Sequence, residues 1–297
     1  MKRNDSLIKY LKERKKKVSL FLGVAFIIST LVLLSENKFT QKETIAKINL
    51  EGIISDKNDF IDRVENINKN ENIKGLLVVV NSPGGTFVSS KEVYDTLEKI
   101  SKKIPTSVYM REIATSGAYL ASLGVDKIFA NNGTITGSIG VILQTAELTS
   151  LLEKLGIQPI VIKSGQLKAV PNPLENVDEE NLSYMKKIID RLQKEFIELV
   201  EKKRNLGVEA KSKISDGRIF TSKQAKALNL IDYVGNESDA IEWIKSEGNL
   251  SDEVNILELD AVNSFLDILK LNVLKKSFNY FNLNLNNGIL AIWTPGI

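Results

Sequence analysis

A serine sits in a run of small residues, Ala114-Thr115-Ser116-Gly117-Ala118-Tyr119, and a lysine follows 52 residues later in Gly165-Gln166-Leu167-Lys168. The 297-residue chain contains no histidine. A serine nucleophile needs a neighbouring group to take its proton, so a Ser/His/Asp arrangement is excluded. The alternative base is a lysine held uncharged, since burial in an apolar site lowers a lysine pKa by as much as ~3–5 units. Lys168 is one candidate and nearby Lys163 competes with it. At the start of a helix Ser116 would gain from the dipole as its oxygen becomes anionic; a plain N-cap is the structural alternative.

Two glycine-bearing segments could complete such a site. Asn81-Ser82-Pro83-Gly84-Gly85 follows the continuous apolar run Leu76-Leu77-Val78-Val79-Val80. Paired glycines there let backbone N–H groups approach a ligand and face a developing negative charge, although an ordinary strand-to-helix turn has the same composition. No Gly-Lys-Ser/Thr follows, so this is not a phosphate loop. Thr134-Ile135-Thr136-Gly137-Ser138-Ile139-Gly140-Val141 sets Ser138 between glycines, where its hydroxyl could hold a lysine amine; alone it reads as a kinked strand. The chain also has no cysteine, which removes thiolate catalysis, disulfides and zinc-thiolate sites. No cofactor and no metal is expected.

These residues need an α/β scaffold. Strands are expected at Ile45 to Leu50, Gly75 to Val80, Ser107 to Met110, Lys127 to Ala130 and Pro159 to Lys163. Helices are expected at Phe60 to Ile67, Ser89 to Ile100, Ser116 to Gly124, Glu147 to Leu155, Asp178 to Lys203, Thr221 to Asn229 and Ser238 to Ser246. The unbroken run Leu76 to Val80 suits a strand covered on both faces. Phe281 to Asn286 alternates with period two before the turn pair Asn287-Gly288 and the run Ile289 to Trp293, which reads as a terminal hairpin. With 43% hydrophobic and 26% charged residues, the chain can bury one large core.

Charge is uneven. Residues 1–17 carry eight Lys/Arg against Asp5 and Glu13, a net +6, which leaves −3 of the overall +3 for the remainder. The rest shows no interleaved basic and aromatic surface, so nucleic-acid binding is disfavoured. The uncharged stretch 18–35 would span about 27 Å as a helix. Its basic flank places the N-terminus in the cytoplasm and the bulk of the chain outside, at the cell membrane. The absence of a small-x-small cleavage site favours an anchor over a removed signal peptide. The expected layout is a basic tail at 1–17, an anchor at 18–35, a tether at 36–44, a catalytic domain at 45–260 and a C-terminal helix and hairpin at 261–297.

Read in order, Asn81 to Gly85, Thr115 to Tyr119, Thr136 to Gly140 and Gly165-x-x-Lys168 resemble the signal peptide peptidase A (protease IV) family of Ser/Lys-dyad serine peptidases, in its short single-domain form. The resemblance spans roughly residues 45 to 250. It implies a ClpP/crotonase-like fold behind a single transmembrane helix, Ser116 as nucleophile, Lys168 as general base and Ser138 orienting the lysine. It further implies that the N–H groups of Gly84 and Gly117 stabilise the oxyanion. The substrates implied are remnant signal peptides and other hydrophobic or unfolded peptides, and the implied assembly is a homo-oligomeric ring whose neighbours complete the groove. Ala118 and Gln166-Leu167 depart from the family's usual glycine and tyrosine. Two rival readings are a non-catalytic membrane scaffold that keeps the fold and a crotonase-type acyl-CoA enzyme.

Overall fold

Leu76 through Val80 are all buried, and their side chains alternate between two cores, as a strand covered on both faces requires. The computed structural model describes residues 23, 43–259 and 290–292; the expected basic tail, all of the anchor but residue 23, and most of the C-terminal extension lie outside them. Among the described residues no helix is long and apolar enough to cross a membrane. Among the described residues, those from Glu43 onward form one unit.

Its frame is a mostly parallel sheet. β1 (Thr44–Glu51) and β2 (Ile73–Ser82) pair side by side, and α1 (Asn58–Ile67) connects them. After Pro83 come β3 (Gly84–Thr86), then α2 (Phe87–Ser101), capped where the Thr86 side chain accepts from the Ser89 N–H. β4 (Thr106–Thr115) returns beside β2 and ends one residue before α3 (Gly117–Ser122). β4 is forked: residues 107–110 pair with β5 (Lys127–Ala130) and residues 113–115 pair with β6 (Ile135–Gly137). The register slips between these halves, and the Asn81 Oδ1 atom accepts from the Ile113 N–H at 3.3 Å across the irregularity.

The remaining elements flank this frame. α4 (Thr149–Lys154) is short, and α5 (Glu179–Lys203) opens on the Asp178 cap with acids in its first turn and lysines in its last. α6 (Val208–Ile214) leads to β7 (Ile219–Thr221), antiparallel to β6, then α7 (Ser222–Ala227) and β8 (Tyr233–Val234) on β5. α8 (Glu237–Gly248) puts Ala240 and Ile244 against Leu77 and Val79, while α2, α3 and α5 cover the other face around Leu76, Val78 and Val80. β9 (Asn255–Glu258) extends the sheet beyond β1. β10 (Leu290–Ile292) pairs antiparallel with β3, and the rest of the expected terminal hairpin falls outside the described residues.

One expectation is overturned. Pro159 to Lys163 is not a strand: Ile160 and Ile162 are 87% and 94% exposed, and no described strand lies alongside to pair with them. Apolar composition raises strand propensity, but a strand exists only with a neighbour to share its hydrogen bonds.

A charged knot joins α2 to α5. Glu98 receives Lys203 Nζ at 2.7 Å and the Tyr94 hydroxyl at 2.7 Å, with Lys102 at 3.6 Å. The Lys203 hydrogen bond, then that of Tyr94, holds the Glu98 carboxyl at about 2, down from 4.5. A depressed carboxyl stabilises the fold above its unfolded pKa, and that contribution is lost as pH falls toward 2. Glu98→Gln is therefore expected to lower stability by about 1 kcal/mol at neutral pH, allowing for solvent screening. Urea unfolding at stepped pH checks this: the gap between variant and wild type should close between pH 4.5 and about 2.

Candidate active site

Ser116 occupies the single residue between β4 and α3, with φ 54° and ψ −119°. That is a left-handed region where a β-carbon is strained, and non-glycine residues held there concentrate at functional sites. Two backbone bonds hold it: the Ser116 N–H donates to Gly137 O at 2.7 Å, and the Leu120 N–H donates to Ser116 O at 2.9 Å. Its side chain makes no capping bond, which removes the N-cap reading. The hydroxyl faces Gly140 O at 3.5 Å, and the residue is 1% exposed. Behind it, buried Tyr119 donates its hydroxyl to Leu230 O at 2.8 Å and pins α3 to the body.

Ser138 is the next residue after the carbonyl that receives the Ser116 N–H. It too has positive φ, 49°, and its own N–H donates to Arg218 O at 2.8 Å. Gly137 between them has φ 86°, and a β-carbon there would sit 2.6 Å from the Phe220 ring, so glycine is required. The two serines thus share one backbone framework.

The Asn81–Gly85 motif is mostly architecture. Ser82 Oγ donates to Gly52 O at 2.6 Å and accepts from the Gly84 N–H at 3.1 Å, and Thr115 Oγ1 donates to Pro83 O at 3.1 Å. Gly84 therefore does not offer a free N–H, contrary to expectation. Gly84 O accepts from the Ile54 N–H at 2.9 Å, and Ile54 O accepts from the Thr86 N–H at 2.8 Å. Strand alternation turns the polar groups of Gly85 to the opposite edge, the one facing β10. β10 also lies against α3. Gly117 is the first residue of α3, and its N–H has no carbonyl one turn back to bond.

Lys168 stands apart. Its N–H closes a turn onto Gly165 O at 3.1 Å, Ala169 after it has φ 63°, and its side chain is exposed. Among the described residues no hydrogen bond links Lys168 to Ser116 or to Ser138. Lys163 is engaged elsewhere, 2.8 Å from Glu175. Sequence reasoning did not single out Glu175, which carries no motif, nor Ile54, which braces the glycine pair from far upstream. No group of three acidic, histidine or cysteine side chains among the described residues is placed to hold a metal ion.

A Clp protease profile matches residues 32–132, which sets the sheet in the ClpP-like α/β class. A profile for peptidase family S49 matches residues 98–251, just over half of the chain, and the chain belongs to that family. A Synechocystis protein that carries the name of a protease is 37% identical over 76% of this chain and 81% of its own length. A Methanocaldococcus jannaschii protein also named as a protease is 35% identical over 65% of this chain, and an Enterococcus faecium protein named as signal peptide peptidase SppA is 35% identical over 70%. The matches span 62% and 64% of those two relatives.

Proposed function

We propose that this chain is a membrane-anchored serine endopeptidase that degrades remnant signal peptides and other hydrophobic or unfolded peptides through a Ser116 acyl-enzyme, with Lys168 as general base. The observation that carries this reading is the strained Ser116 backbone between the end of β4 and the first free N–H of α3. Uncharged Lys168 accepts the Ser116 proton as Oγ attacks the scissile carbonyl, then returns a proton to the leaving amine. Water activated by the same lysine releases the acyl group. Ser138 orients the lysine. The Gly117 N–H and the glycine pair, through Gly85 once residues 290–292 yield the edge of β3 to the peptide, receive the oxyanion.

A peptide would bind as an added strand. The edge of β3 already pairs antiparallel with residues 290–292 of the same chain, and backbone pairing of that kind selects extended segments over folded ones. The stretch around Lys168 exposes Ile142, Leu151, Leu155, Ile160, Ile162 and Leu174. Apolar surface of this extent fits contact between copies, which supports a homo-oligomeric ring. Contact between copies there would shield the Lys168 loop from water, so assembly and activity would go together. The uncharged stretch 18–35 supplies the anchor, with the N-terminus cytoplasmic and the peptidase domain on the other side.

The test uses full-length chain in detergent, a serine-reactive fluorophosphonate, mass spectrometry and sedimentation. Labelling at Ser116 in an oligomer, lost in Lys168→Ala, is the expected result. An assembled wild-type protein that stays unlabelled supports the scaffold reading, and labelling independent of Lys168 removes the dyad.

A further inference from the structure

Lys168 lies within a loop that has no strand or helix to hold it, yet the two sides of that loop are joined by one carboxylate. Glu175 Oε2 lies 2.8 Å from Lys163 Nζ and accepts from Asn172 Nδ2 at 2.9 Å. Lys163 Nζ also donates to Gln166 O at 3.3 Å, inside the turn that ends at Lys168. The Glu175 N–H donates to Asn172 O at 3.2 Å, which fixes the far side on itself. The pair is partly exposed: the Lys163 and Glu175 side chains are 22% and 28% exposed, against 73% and 52% for the fully solvent-facing pair Lys186–Asp190 on α5. The Glu175 carboxyl is held below its ordinary value, first by the Lys163 hydrogen bond and then by that of Asn172.

Resting on the assignment of Lys168 as base, we propose that Lys163 and Glu175 form a clamp that positions the Lys168 turn, and that Lys163 is a positioning residue rather than the base. Its amine holds a carboxylate and a carbonyl of the turn at once. To accept a proton from Ser116 it would first have to abandon both. Lys168 makes no such bond among the described residues, so its amine is the one that can travel to the serine. The clamp joins Lys163 to Glu175 across the twelve-residue separation that brackets the turn, so breaking it widens the range of positions open to Lys168. A displacement of about 1 Å in a reacting group can lower a rate about 100-fold.

The experiment follows kcat and KM on an internally quenched hydrophobic peptide, with full-length protein in detergent. Lys163→Met and Glu175→Gln are each expected to lower kcat about 10- to 100-fold while KM changes less than about threefold, because the peptide edge of β3 is untouched. Lys163→Arg keeps a donor for both acceptors and should recover most of the wild-type kcat. Unfolding midpoints should stay unchanged, since a pair this close to solvent adds little stability. If Lys163→Met and Glu175→Gln keep wild-type kcat while Lys168→Ala is inactive, the clamp is wrong and the dyad stands. Wild-type activity in Lys168→Ala overturns the dyad, and the clamp falls with it. A rise in KM alone, or no recovery with Lys163→Arg, also overturns the clamp.

Discussion

Replacing Ser116 by glycine should abolish peptide hydrolysis and make the fold more stable. Loss of the nucleophile in a site whose members act together lowers kcat by roughly 10⁴- to 10⁶-fold. The stability gain comes from the backbone. Ser116 holds φ 54° and ψ −119°, and its side chain caps nothing, so the hydroxyl contributes no bond that glycine would lose beyond a 3.5 Å contact to Gly140 O. Relief of such strain is worth about 1–3 kcal/mol, offset by about 0.5–1 kcal/mol for the greater freedom of glycine in the unfolded chain. The expected net is a rise of about 0.5–2 kcal/mol in urea unfolding. Ser116→Ala should be as inactive but no more stable than wild type, since alanine keeps the β-carbon. A glycine variant less stable than the alanine variant would show that the backbone is not strained.

Gly85→Ala should damage both folding and activity. A β-carbon at residue 85 would lie 1.9 Å from Ile54 O, 2.4 Å from its carbonyl carbon and 2.6 Å from its α-carbon. These are backbone atoms of a fully buried residue, so no rotamer change relieves the overlap. β3 must move away from residue 54, straining the bonds from the Ile54 N–H to Gly84 O and from the Thr86 N–H to Ile54 O. Overpacking and weakened hydrogen bonds together are expected to lower stability by about 2–4 kcal/mol. On the proposed mechanism the same strand presents an oxyanion donor, so surviving protein should lose about 10²- to 10³-fold in kcat. Gly133→Ala, with nothing within 4 Å of its β-carbon, serves as a control and should stay within about 0.5 kcal/mol of wild type.

Much of the frame was legible because long periodic segments leave a strong trace. β1, β2, β5, α1, α2 and α5 fall close to where hydrophobic pattern and capping residues put them. β4 runs on to Thr115, past the expected Met110, because Arg111-Glu112 interrupts the apolar run while the backbone keeps pairing with β6. β3, β7 and β8 have three, three and two residues, too few to show a period. The motifs were legible as an ordered set, but what their residues bond to was not. What the two glycines of the pair bond to is decided by Ser82 Oγ, by Ile54 and by residues 290–292, and nothing local to the pair announces any of them. Spacing could not separate Lys163 from Lys168, since the partner that occupies Lys163 is Glu175, twelve residues on.

The fork in β4 divides labour within the molecule. Ser116, Ser138 and Gly117 hang from the main sheet and its immediate turns, and β3 is tied in through the backbone bonds of Ile54, so one hydrogen-bonded plate carries them all. Lys168 belongs to residues that share no sheet bonds with that plate. Durability is thus written mainly into one part of the chain and turnover rate into another. If Lys168 is the base as proposed, sequence change between residues 157 and 175 would retune or silence catalysis while leaving the plate intact.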